Sequence, residues 1–242
     1  MRFDKPEGLP DKYVCYRPEY VGYHSRRFAV MLAALEALGI NDQSRLLDVG
    51  PTFSSLLLNK HFRCHVDALS FSPDEQTPFG TNYEFDLNKS QYEADWRKIE
   101  GEFDAIVFAE VLEHLHTAPS VVLRYLASLV KPGGHILIQT PNALALKARV
   151  KLLLGKHPYE AISKDPYSPN HFRENTLDEL CQAVREAGLN PVWAQHCNYF
   201  NPTFRQETGS NVSSTVGNLY FRMSDLLPPK LKRGLMVIAQ KA

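Results

Sequence analysis

Two rhythms alternate along the chain: short apolar runs, and longer segments whose apolar residues recur every three or four positions. The first is the pattern of buried strands and the second that of helices packed on one face. Phe28, Met31, Leu32, Leu35 and Leu38 predict a helix over 25–38, with Gly39 as its stop. Arg45 to Val49 reads as a first strand, followed at once by Gly50 and a helix near 53–60. Cys64–Leu69 predicts a second strand, Tyr83–Leu87 a short third, and Phe103–Ala109 a fourth, apolar enough to be buried on both faces. A helix over 119–130 ends in Lys131-Pro132-Gly133-Gly134, a turn signal, before a fifth strand at His135–Thr140.

An insertion follows at about 143–175, helical over Ala143–Leu154 and then rich in Pro, Ser and Tyr. Thr176-Leu177-Asp178-Glu179 is a capping box that opens a helix to Ala187, with Gly188 after it. Strand six is expected at 191–199 and a last strand at 235–240, separated by a variable segment. Residues 1–20 form an irregular lead-in, and residues 1–40 together an arm and a helix. Tyr13, Tyr16, Tyr20 and Tyr23 either pack that arm or cover a planar ligand with their faces. Strands alternating with helices predict an α/β fold with a doubly wound sheet, organised as one domain over 1–242.

Composition narrows the function. Lys plus Arg and Asp plus Glu number 27 each, so no overall field draws a polynucleotide, and a nucleic-acid substrate is disfavoured. The four cysteines (Cys15, Cys64, Cys181 and Cys197) include no C-x-x-C pair and read as free thiols of a reducing compartment. The N-terminal stretch has no apolar h-region, and no run approaches membrane-spanning length, so a cytoplasmic protein is expected. Asn211-Val212-Ser213 matches a glycosylation sequon, but without a secretory signal it carries no weight.

The candidate chemistry gathers where the first strand ends. Glycine at 50 lets backbone approach a ligand at the carboxyl end of that strand, and Asp48 can accept hydrogen bonds or balance a cation there. Asp67, 19 residues further on, is expected at the end of the second strand, where an acid can take the hydroxyls of a ribose. The spacing indicates a nucleoside-type cofactor. His61, Cys64 and His65 flank a strand start without a second pair of ligands, and no metal site is expected.

The order of these signals resembles the class I S-adenosylmethionine-dependent methyltransferases over about 40–242. The family's D-x-G-x-G-x-G aligns on Asp48-Val49-Gly50-Pro51-Thr52-Phe53-Ser54; the aspartate and first glycine match, while Thr52 and Ser54 replace the other two. The resemblance assigns Asp67, with Ala68, to the ribose hydroxyls, and Asp86, with Leu87, to the adenine. F-D-A-I-V-F-A-E-V-L-E-H-L is similar to the fourth-strand motif and implies that Glu110 lines the methyl-donor pocket. L-V-K-P-G-G-H-I-L-I-Q-T-P-N is similar to the fifth-strand signature. H-F-R-E-N-T resembles a segment of bacterial enzymes that act on small molecules and cell-surface glycans. The implied fold is a Rossmann-like sheet of seven strands in the order 3-2-1-4-5-7-6, strand seven antiparallel. The implied cofactor site comprises Asp48, Gly50, Pro51, Thr52, Asp67, Ala68, Asp86, Leu87 and Glu110.

The implied reaction is displacement on a sulfonium methyl group, with a base required when the acceptor is a hydroxyl. His114, beyond the fourth strand, and His171, in the insertion, are the candidates; each could instead serve a structural hydrogen bond. The acceptor is expected to be a small molecule, glycan or lipid-linked intermediate. The Asn/Asp-Pro-Pro-aromatic motif of nucleic-acid enzymes is replaced by Ala109-Glu110-Val111-Leu112. The basic-apolar stretches 143–157 and 219–233 read either as lids with a solvated charged face or as peripheral membrane contacts. Two other classes compete: a scaffold that lost cofactor binding with its glycines, and a nicotinamide oxidoreductase. The latter needs G-x-G-x-x-G, of which Gly50, Thr52 and Ser55 supply one glycine.

Overall fold

The computed structural model describes residues 18–71, 77–165, 170–199 and 223–242. Tyr13, Tyr16, Cys15, the 211–213 sequon and the start of the 219–233 stretch lie outside them. Strands β1 (Arg45–Val49), β2 (His65–Ser70), β3 (Asn82–Glu84), β4 (Phe103–Ala109), β5 (Val130–Pro141), β6 (Leu189–Cys197) and β7 (Gly234–Lys241) form one sheet. Its order is β3-β2-β1-β4-β5-β7-β6. The pairs β1–β2, β2–β3 and β4–β5 are parallel, whereas β7 runs antiparallel to both β5 and β6. The chain divides into two compact units, drawn from Met1–Glu84 with Asn198–Leu227 and from Phe85–Cys197 with Pro228–Ala242.

In the first unit, α1 (Pro18–Ala37) begins earlier than the apolar period predicts. Proline suits the first helical position, where its missing N–H has no partner to lose. Phe28, Met31, Leu32 and Leu35 are buried, as their spacing requires. Helix α2 (Phe53–Phe62) follows β1 through a turn at Gly50. The 77–82 loop lies directly on β2: a Cβ at Gly80 would come within 2.3 Å of the Val66 carbonyl oxygen and 2.7 Å of Asp67 Oδ1. Only glycine permits that approach.

In the second unit, β4 and β5 form the apolar centre, with Ile106, Val107, Phe108, Ile136, Leu137 and Ile138 all buried. Helix α3 (Pro119–Leu129) runs straight into β5, which starts at Val130 and not at the predicted His135. The register with β4 jumps between Phe103↔Val130 and Ala105↔His135. The Lys-Pro-Gly-Gly segment is therefore a bulge inside the strand, a site where proline and glycine are tolerated. The register of β6 slips likewise at Pro191, which has no N–H for the ladder. Helix α5 (Leu177–Glu186) carries the predicted capping box: Glu179 N donates to Thr176 Oγ1 at 3.2 Å, and Thr176 N donates to Glu179 Oε2 at 2.8 Å.

Candidate active site

At the end of β1 the backbone turns through Gly50 at φ +67°, and its N–H donates to the Leu69 carbonyl at 2.9 Å. A side chain there would cost about 1–2 kcal/mol in the left-handed region. Asp48 is buried, and its Oδ2 accepts from Ser54 Oγ at 2.6 Å and Ser55 Oγ at 2.5 Å. The hydroxyl that stands where the family pattern has its third glycine is thus tied to the motif's own aspartate. Thr52 Oγ1 lies 3.3 Å from Ser54 Oγ and does not cap α2. Burial pushes the Asp48 carboxyl up to about 6, opposed by the two serine hydroxyls and by the charge of Arg27. Pro51 is buried and Thr52 half-buried beside this cluster in sequence.

Asp67 requires a correction. It is not at the end of β2, which continues to Ser70; Asp67 pairs in register with Leu47, in mid-strand. Its carboxylate is fully buried and committed. Oδ2 accepts from Arg45 Nε at 3.0 Å and Nη2 at 2.6 Å, and Oδ1 accepts from the Thr81 N–H at 2.7 Å and lies 2.7 Å from His65 Nε2. Arg45↔His65 and Leu47↔Asp67 are register pairs, so Arg45, His65 and Asp67 share one sheet face. Asp67 therefore ties β1, β2 and the 77–82 loop together, and Ala68 is buried beside it in the strand. His61 also faces a carboxylate, Glu36 Oε1 at 2.6 Å, so neither of the histidines flanking Cys64 stands without a partner.

In the second unit, Asp86 caps a 3-10 turn over Leu87–Gln91, its Oδ1 accepting from the Asn88 N–H at 2.9 Å. Asp86 is half-buried and Leu87 buried. Asn88 reaches in turn to the chain after the fourth-strand motif, its Oδ1 accepting from His116 N at 2.9 Å. Glu110, the first residue beyond β4, sits at φ +59° while its N–H donates to Gln139 O at 2.8 Å. A non-glycine residue in that region stores strain, which proteins retain chiefly at functional positions.

The two candidate histidines meet. His114 lies on a 3-10 turn over Leu112–His114 after β4, and His171 lies near the end of the insertion. The turn's Glu113 carbonyl accepts from Phe172 N at 2.8 Å and Arg173 N at 3.4 Å, which fastens the returning insertion to it. The His114 and His171 rings then stand 4.9 Å apart between centroids, at 81°. His171 Nδ1 is 2.9 Å from Glu174 Oε1. Glu113 is buried between backbone contacts, its Oε2 accepting from Thr140 Oγ1 at 3.0 Å and its Oε1 4.0 Å from His114 Nε2. The insertion's two ends are pinned together by a bridge between Asn142 and Asn175, and Asn142 Nδ2 donates to Lys230 O at 3.1 Å and Lys232 O at 2.7 Å.

Ligand atoms of Glu113, His114 and His171 lie within 4.8 Å of one another. Bonds of about 2.1 Å in a tetrahedral shell would set donors about 3.4 Å apart. The 4.0 Å between Glu113 Oε1 and His114 Nε2 is wider than that spacing and is also beyond direct hydrogen-bond distance. A separate cleft of about 560 Å³ is lined by Leu112, His116, Phe172, Arg173 and Glu179, and neither His114 nor His171 lines it. Reasoning from sequence missed Glu113 and Glu174, although each stands in a quoted motif, E-V-L-E-H and H-F-R-E, one and three residues from its histidine.

Residues 23–203 match the family described as a methyltransferase domain. Among curated proteins, the ubiquinone biosynthesis O-methyltransferase of Bordetella avium is 30% identical over 102 residues, 42% of this chain and 41% of that protein. The protein of the same name from Dechloromonas aromatica is 27% identical over 133 residues, 55% of this chain and 56% of its own length. The chain thus spans about half the length of these relatives. Among solved structures, magnesium protoporphyrin IX methyltransferase of Synechocystis PCC 6803, with bound S-adenosylhomocysteine, superposes with TM-score 0.56. It is 13% identical, over 93% of this chain and 86% of that one, a likeness of fold. With the strand order, the fourth- and fifth-strand motifs and a family match over most of its length, the chain belongs to the class I S-adenosylmethionine-dependent methyltransferases.

Proposed function

We propose that the chain transfers a methyl group from S-adenosylmethionine to a hydroxyl oxygen of a small molecule, glycan or lipid-linked intermediate. The convergence of His114 and His171 carries this reading, because two imidazoles held together beside buried carboxylate suit removal of a hydroxyl proton. The partial relatives, named as O-methyltransferases, support an oxygen acceptor.

The cofactor's fit rests on the residues present. Gly50 leaves the bend open, Asp48 offers a buried acid buttressed by two serines, and Asp86 keeps Oδ2 beyond the cap it makes with Oδ1. We assign Asp48, Gly50, Pro51 and Thr52 to the amino-acid portion, Asp86 and Leu87 to the adenine, and Glu110 to the methyl-donor side. Asp67 is left out of the binding set, because its oxygens hold the sheet. When bound, S-adenosylmethionine supplies an electrophilic methyl carbon on a sulfonium centre.

A carboxylate accepts and does not donate, so the proton between His171 and Glu174 sits on Nδ1, and in the neutral ring Nε2 is then the acceptor. His171 Nε2 would take the proton of the acceptor hydroxyl, leaving that oxygen able to accept the methyl group the sulfonium would supply. Glu174 fixes the tautomer and stabilises the imidazolium. His114 packs against the ring and limits its rotation. Orientation of the acceptor oxygen can contribute about 7–11 kcal/mol and the base about 10²–10⁴ in rate.

The test is methyl-labelled S-adenosylmethionine against a panel of small hydroxylated aromatics, glycans and lipid-linked alcohols. Label on an acceptor oxygen supports the reading, and label found only on nitrogen or carbon refutes the oxygen assignment.

A further inference from the structure

The insertion carries a second feature that methyl transfer does not use. In α4 (Leu146–Leu153) only Ala148 is buried. Val150 is 44% exposed, Leu152 58%, Leu153 86% and Leu154 68%, so one turn of chain presents three successive leucines to water. Lys147, Arg149, Lys151 and Lys156 surround them, and no acidic residue occurs from Asn142 to Tyr159. The chain as a whole carries equal numbers of basic and acidic residues, so this local excess of four positive charges is set against a neutral background.

Among the described residues these cations are not neutralised by carboxylates. Lys151 Nζ donates to the Pro158 carbonyl at 2.8 Å and Arg149 Nε to the Leu144 carbonyl at 2.9 Å. Both bonds close the turn on itself, and among the described residues none of the four forms an ion pair with a carboxylate. Burying contiguous apolar area is favourable, and an exposed apolar patch rimmed by like charge marks an interaction surface. A second copy of the chain is a poor occupant, since a two-fold contact would set the same four cations against themselves. A surface of anionic lipid headgroups over acyl chains complements both halves of the patch.

We infer that α4 and the turn to Lys156 dock on an anionic phospholipid bilayer. Leu152, Leu153 and Leu154 enter the boundary between headgroups and acyl chains, while Lys147, Arg149 and Lys156 meet the phosphates. No helix among the described residues is long and apolar enough to span a membrane, so the contact is one of surface attachment. This inference does not depend on which hydroxyl the enzyme methylates.

The experiment is co-sedimentation of the full chain with vesicles of phosphatidylcholine alone and of phosphatidylcholine and phosphatidylglycerol in equal parts. The protein should pellet with the anionic vesicles and remain in solution with the neutral ones, and added salt should release it. Leu153→Glu and the pair Lys147→Glu with Lys156→Glu should each weaken binding at least tenfold, with melting transitions unchanged because all three positions are exposed. Tyr92→Glu, at another exposed apolar position, should bind as the parent does. Absence of pelleting with anionic vesicles, or pelleting that the α4 variants leave unaltered, overturns the inference. Self-association abolished by Leu153→Glu, without vesicle binding, would assign the patch to a second copy and also overturn it.

Discussion

His114 and His171 stand nearly perpendicular with their ring centroids 4.9 Å apart, one on the turn after β4 and the other at the close of the insertion. The Glu113 carbonyl that receives the Phe172 and Arg173 N–H groups makes that meeting a property of the backbone. If His171 is the base, His171→Gln should lower kcat about 10²–10⁴-fold with little change in KM for the cofactor. Glu174→Gln should lower kcat less, by about tenfold, and move the acidic limb of the kcat profile to lower pH, because the imidazolium loses its carboxylate partner. Equal losses in both variants with an unmoved pH profile would indicate a purely structural pair. Rates and pH profiles on a common acceptor decide it.

Glu110 holds a left-handed conformation without being glycine. Glu110→Gly should relieve roughly 1–2 kcal/mol of strain, offset by about 0.5–1 kcal/mol of added freedom in the unfolded chain. Stability should therefore hold or rise slightly in denaturant titrations while methyl transfer falls. Glu110→Ala should lose activity and keep the strain. A Glu110→Gly protein that is both less stable and fully active would contradict the assignment.

On the reading proposed above, Asp67 serves the sheet and not the cofactor. Asp67→Asn should weaken its bonds to Arg45 and His65 and lower unfolding free energy by about 2–4 kcal/mol, the upper part of that range tempered by the partial exposure of Arg45. Cofactor affinity of the folded fraction should change less than about threefold. Chemical denaturation paired with calorimetry separates the two effects, and a large affinity loss without destabilisation would return Asp67 to the ribose.

The folded chain binds a proton at Asp48 more tightly than the unfolded chain does, because burial pushes the carboxyl from 3.8 up to about 6. The contribution to stability is therefore greatest below pH 3.8, falls as pH rises from 3.8 to 6, and is constant above, at a cost on the order of 3 kcal/mol. Asp48→Asn should gain on the parent across that window and keep a constant advantage above it. Unfolding free energies measured against pH check this, and parallel curves for the two proteins would contradict it.

The sheet was legible in the sequence because β4, β5 and β7 are apolar on both faces and α5 announces itself through its capping box. The limits of β2 and β5 were not. An apolar run does not record where pairing stops: β2 continues through Ser70, and Pro132-Gly133-Gly134 reads as a turn yet forms a bulge. Asp67 already lay inside the expected 64–69 strand; its reading rested on its spacing from Asp48 and on the resemblance, and its bonds to Arg45, His65 and Thr81 depend on strand register that the sequence does not display. The chemistry of His114 and His171 was visible as residue type, but their meeting depends on a backbone bond between distant segments. Ser54 shows the opposite case, where a departure from a glycine pattern became intelligible only once its hydroxyl was found on Asp48.

Cofactor binding by the assigned residues is tested most directly by calorimetric titration of the full chain with S-adenosylmethionine, beside Asp86→Ser. Serine retains an acceptor for the Asn88 N–H and so keeps the cap, but it removes the oxygen assigned to the adenine. The parent should bind with micromolar affinity, and the variant about tenfold more weakly, a loss of about 1.4 kcal/mol, with its melting transition in place. Absence of binding at millimolar cofactor, or equal binding by the two proteins, would contradict the assigned site; the first result would favour a methyltransferase fold that serves as a scaffold.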